Sequence, residues 1–125
     1  MPYVQYNPNP KGRHTGDCVI RALTIALGMS WDDLHLALSM KSFVDKTVLT
    51  DDATWGSYLH DHGFVVVPLI NTCPDCYTIG QFSIDHPRGV YVVKTTGHVD
   101  SVMDGNYYDT TDTGNEVPIY YWMKE

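Results

Sequence analysis

The stretch HTGDCVIRALTIALG, His14 to Gly28, joins a polar, glycine-bearing loop to an apolar helix and places Cys18 at the join. Val19, Leu23, Ala26 and Leu27 recur at i, i+4, i+7 and i+8, and Ile20 and Ala22 widen that face. This spacing predicts a buried amphipathic helix from Cys18, with Gly28 as its C-cap. Cys18 itself has two readings. It can be a small buried hydrophobe, since free cysteine is among the most buried residue types. It can also be a nucleophile, because a helix N-terminus favours the thiolate.

Upstream, residues 1–16 read as an extended arm or loop broken by Pro2, Pro8, Pro10, Gly12 and Gly16. Downstream, SWDDLHLALSM has Ser30 as N-cap and Asp32 and Asp33 in the first turn. Trp31, Leu34, Leu36, Leu38 and Met40 then predict a mostly buried second helix. A third helix is expected over DDATWGSYLHDHG, with Trp55, Tyr58 and Leu59 inward and Gly63 at its end. FVVVPL reads as a short strand, with Pro68 marking an edge or a strand end. NTCPDC is a loop, and TIGQFSIDH is a short helix capped by Thr78 and stopped by Pro87 and Gly89.

The last third is β-rich. GVYVVKTT, HVDSVMD, NYYDTT and PIYYWMK are β-branched or aromatic runs, and DGN at 104–106 signals a hairpin. Helices followed by strands predict an α+β fold, its N-terminal helices packed on a small antiparallel sheet. A length of 125 residues fits a single domain spanning 1–125. Hydrophobic residues at 43% and charged residues at 18% give a globular composition, not a disordered one.

Eight basic against 15 acidic residues give a net charge of -7, which argues against nucleic acid and anionic membranes as partners. No apolar run approaches the length of a membrane span, and the polar, proline-rich start MPYVQYNPNPKGRH has no signal-peptide pattern. The expected setting is therefore the reducing cytoplasm, where three cysteines do not imply a disulfide framework. Nothing in the pattern sets the oligomeric state.

Three residues form a chemical series. Cys18 opens the first helix, His98 follows Gly97 at the start of a strand, and Asp109 lies on the strand after the DGN turn. A thiol nucleophile needs a base, and histidine titrates in the right range. If 97–103 and 105–110 pair as a hairpin, Asp109 approaches His98 and can fix its tautomer. Asp112 is the alternative orienting acid, and either aspartate can instead serve a turn.

TGDCVIRAL, GVYVVKTTGHVDSVMDGNYYDT and the closing YYW resemble the papain-like cysteine peptidases, specifically the small bacterial and phage-encoded ones. The bacteriocin-processing peptidase domains of transporters and the Josephin-type ubiquitin hydrolases are more distant relatives in layout. The resemblance spans almost the whole chain. It implies a papain-like fold and a peptidase or isopeptidase acting on a peptide or protein substrate in a bacterial or phage-infected cell, without a cofactor. Cys18 would be the nucleophile, His98 the general base and acid, and Asp109 the orienting acid. Family members usually carry a Gln or Asn a few residues before the cysteine to help bind the oxyanion. No Gln stands there in this chain; the candidate donors are the Cys18 backbone N–H, Asn9 and His14. The alternative is a catalytically weak domain of the same fold that binds a protein partner.

A second group, His60, His62, Cys73 and Cys76, has the ligand types that zinc prefers. Its order and spacing are not those of a common finger, and on a helix the two histidines would face different sides. CPDC also has the form of a redox motif, although its expected strand and helix context is absent. A plain loop with chemically idle cysteines is the remaining reading.

Overall fold

A computed structural model describes residues 2–124. Its order is β1 (Tyr3–Gln5), α1 (Cys18–Leu27), α2 (Trp31–Asp45), α3 (Asp52–Asp61), β2 (Phe64–Pro68) and α4 (Ile79–Asp85). The strands β3 (Val90–Lys94), β4 (Val99–Met103), β5 (Asn106–Asp109) and β6 (Tyr120–Lys124) complete it. The class is α+β. The six strands form one sheet in the order β1-β5-β4-β3-β6-β2.

The sheet is mixed, which corrects the antiparallel expectation. β1 pairs in parallel with β5, matching Tyr3 with Tyr107 and Gln5 with Asp109. Pro2 and Pro8 flank the paired segment without entering it, so three residues remain free to pair. They cover an edge that β5 would otherwise expose.

Two apolar layers explain the pattern of the strands. Leu23 of α1, Leu34 and Leu38 of α2, and Trp55 and Leu59 of α3 share a cluster with Val92 and Val99. Ile79 and Phe82 of α4 pack with Val93, Val102 and Tyr107 in a second cluster. Neighbouring valines of β3 therefore serve different clusters, which is why its run is continuously apolar. Gly28 closes α1 at φ 63°, and Ser30 caps α2 by accepting from the Asp33 N–H at 3.1 Å. α2 differs from expectation on one side, because Leu36 and Met40 are mostly exposed while Leu34 and Leu38 are fully buried. A helix of Trp31–Asp45 lying on the core can bury only one stripe.

β4 and β5 carry much of the site. Asp104 (φ 50°) and Gly105 (φ 84°) both take the left-handed conformation that a two-residue hairpin turn demands. The turn fixes the pairing of Met103 with Asn106 and of Ser101 with Tyr108. One further step along this register sets Asp100 opposite Asp109. No helix among the described residues is long and apolar enough to cross a membrane.

Candidate active site

The structure brings Cys18, His98 and Asp109 together. Cys18 is the first residue of α1, His98 directly precedes β4, and Asp109 ends β5. His98 Nε2 lies 2.5 Å from Asp109 Oδ2, which leaves Nδ1 as the ring nitrogen available to the thiol. Cys18 and His98 line one cleft of about 440 Å³, together with Gly16, Val19, Lys94 and Val99 among others. A larger hollow of about 580 Å³ lies by the loop after β2, but its wall holds neither a histidine nor a free thiol.

The electrostatics favour an ion pair. Burial opposes ionisation of Cys18, but hydrogen bonds from the His98 side chain and the Val99 backbone, with the charges of His98 and Arg21, bring the thiol below its usual value. The hydrogen bond to Asp109, then that to Cys18, pushes His98 up to about 10 against the pull of burial. Asp109 is held down: burial alone would raise it, and His98 and Arg21 outweigh that. The two shifts run in the directions that favour a thiolate beside an imidazolium: the thiol is lowered and the imidazole raised.

Behind the three lies a buried polar network. Asp17 ends the loop before α1 but makes no capping bond to the helix. Its Oδ1 instead accepts from Arg21 Nη1 at 2.5 Å, and its Oδ2 from Trp31 Nε1 at 2.9 Å. Arg21 Nη2 reaches Asp109 Oδ1 at 2.9 Å. Arg21 is 6% exposed, so both of its ion pairs are shielded from water. The arm contributes as well: the Tyr6 N–H and the Tyr3 hydroxyl both donate to the Asp109 carbonyl, at 2.8 and 3.1 Å.

Asp100 is a further carboxylate at the site. It is buried, its Oδ1 accepts from the Ser101 N–H at 2.9 Å, and its Oδ2 accepts from the Thr113 hydroxyl. Burial, and then the charge of Asp109, push it up to about 7 despite those bonds. A raised carboxyl binds its proton more tightly folded than unfolded, so its contribution to stability falls as pH rises from about 4 to about 7. Asp100→Asn is expected to remove that fall, read by denaturant unfolding at pH 5 and pH 8. An unchanged difference between the two pH values would refute the assignment.

His98, Asp100 and Asp109 are also the residues whose potential metal-binding atoms converge, within 4.8 Å of one another, among the described residues. Their oxygens are already engaged by Arg21, His98, Thr110, Thr113 and Ser101. The other expected group does not assemble. Cys73 and Cys76 are joined in a disulfide, which removes both thiolates that zinc would need and corrects the expectation of unpaired cysteines. His60 and His62 are exposed, and the Nδ1 of His62 lies 2.7 Å from the Tyr58 carbonyl.

Two expected oxyanion donors are also corrected. Asn9 and His14 do not line the cleft. The Asn9 side chain instead accepts from the Lys11 N–H within the arm at 2.9 Å, and His14 is exposed. Gly16 and the start of α1 are what border the thiol. Asp112, the alternative orienting acid, accepts from the Tyr107 hydroxyl instead.

The parts that Arg21, Asp17, Trp31, Lys94 and Asp100 play around the site escaped the sequence reading, which had Trp31 only as a buried helix residue. One signal did mark Arg21: it is the only charge in CVIRALTIAL, and a charge on a helix with so little polar surface needs a buried acid. No family model, curated protein or solved structure matches this chain.

Proposed function

We propose that this chain is a cysteine hydrolase of papain-like architecture that cleaves a peptide or isopeptide bond through a thioester on Cys18. The observation that carries this reading is the unbroken series from Cys18 and His98 at the wall of one cleft to the buried Asp109 behind His98. The thiolate attacks the scissile carbonyl carbon, and the carbonyl oxygen becomes an oxyanion. The first N–H groups of a helix have no intrahelical acceptor, so the Cys18 N–H is free to hold that oxygen. As the C–N bond breaks, the His98 imidazolium gives its proton to the departing amine. His98 then takes a proton from water, hydroxide attacks the thioester, and the acid product leaves with Cys18 restored. Asp109 keeps the ring oriented throughout.

A second reading, a binding domain of the same fold with no turnover, is favoured by one observation: no side-chain amide from the preceding loop reaches the cleft. One experiment separates the two. Iodoacetamide labelling, followed by peptide mass spectrometry between pH 5 and 9, should modify Cys18 well below the pH at which free cysteine reacts, because its thiol is lowered. If Cys18 alkylates no faster than free cysteine at pH 7, the activated nucleophile, and with it the hydrolase, is ruled out.

A further inference from the structure

Lys94 ends β3 and is only 7% exposed, a degree of burial at which lysine is seldom found unpaired. None of the four ion pairs among the described residues includes it. Its Nζ donates to the carbonyls of Thr95 at 2.5 Å and Thr96 at 3.2 Å. An ammonium has three N–H donors, so one is left over. The same residue lines the cleft that holds Cys18 and His98. The reaction cleft therefore has a cation in its wall that no carboxylate neutralises.

The other charges facing the cleft do not cancel it. On the hydrolase reading, the Cys18 thiolate and the His98 imidazolium offset each other. Asp52 also lines the cleft, but its residue is exposed, and one of its oxygens accepts from Trp55 Nε1 at 3.2 Å. Water and salt screen an exposed carboxylate more than a buried ammonium. Behind His98, Arg21 is paired with both Asp109 and Asp17. Lys94 is thus the buried charge of the cleft wall that has no carboxylate partner, in a chain whose net charge is -7.

We infer that Lys94 is a specificity residue that selects substrates bearing a carboxylate beside the scissile carbonyl, either an Asp or Glu side chain or a chain terminus. This rests on the hydrolase reading of the same cleft. The small reagents iodoacetate and iodoacetamide test it directly, since they carry out the same alkylation and differ in charge. In the wild-type chain, the ratio of the iodoacetate to the iodoacetamide rate at Cys18 should exceed the ratio for free cysteine by about tenfold. Lys94→Met should lower the wild-type ratio about fivefold to tenfold, and Lys94→Arg should restore most of it.

A wild-type ratio equal to that of free cysteine overturns the proposal whether or not the variants fold. A Lys94→Met ratio within twofold of wild type overturns it as well. Failure of the hydrolase reading looks different, because iodoacetamide alone would then react with Cys18 at the rate of free cysteine. Peptides containing Glu or Gln, each with a free or amidated C-terminus, then separate a side-chain carboxylate from a terminal one by their protection of Cys18 from iodoacetamide.

Discussion

The Arg21→Met chain is expected to lose about 3–5 kcal/mol of stability, because it strands two buried carboxylates at once. Asp17 and Asp109 both depend on the Arg21 guanidinium, at 2.5 and 2.9 Å, and neither is open to water. Methionine fills a similar volume, so lost packing contributes little to the change. Adding Asp17→Asn should recover part of the loss, since one of the two stranded charges is then gone. Urea denaturation of the three chains at pH 7 reads the effect directly. A loss below about 1 kcal/mol would mean that the pairs are solvated and that the network is not buried as described.

His98→Ala is expected to return alkylation of Cys18 at pH 7 to the rate of free cysteine, a drop of at least about tenfold. A free thiol is only a few per cent thiolate at that pH, whereas the wild-type thiol draws on the His98 hydrogen bond and charge. Hydrolysis of any substrate should fall much further, because the variant has neither base nor acid. The stability effect has a definite sign. His98 is raised from 6.5 to about 10, so its contribution is complete below about pH 6.5 and is lost as pH rises through 10. His98→Ala should therefore destabilise the chain more at pH 6 than at pH 10. If the variant retains the wild-type alkylation rate, His98 does not activate Cys18.

The helices were legible because their period and caps are local properties. Ser30, Thr78 and Gly28 occupy the capping positions that their chemistry predicts. The β4–β5 hairpin was legible for the same reason, and it brought Asp109 to His98. What the sequence hid are contacts set by the tertiary fold. β1 has only three residues and no alternation to reveal it, and it exists because β5 has a free edge beside it. The burial of Leu34 and exposure of Leu36 depend on how α2 lies on its neighbours, which periodicity does not determine. Asp100 and Lys94 looked like ordinary strand residues until the sheet buried them. The Cys73–Cys76 bridge depends on a loop conformation that residue types alone do not dictate.

The arm that meets β5 also sets the order of events during synthesis. Tyr3 pairs with Tyr107, and Arg21 meets Asp109 across 88 positions of sequence. Contacts between such distant segments cannot form on a partial chain, and closing long loops delays them further. While the nascent polypeptide lacks β4 and β5, Cys18 has neither His98 nor Asp109 beside it and behaves as an ordinary thiol. The hydrogen bonds that lower its thiol arise only when the last third docks against the first. The topology thus keeps Cys18 apart from both of its partners in an unfinished protein.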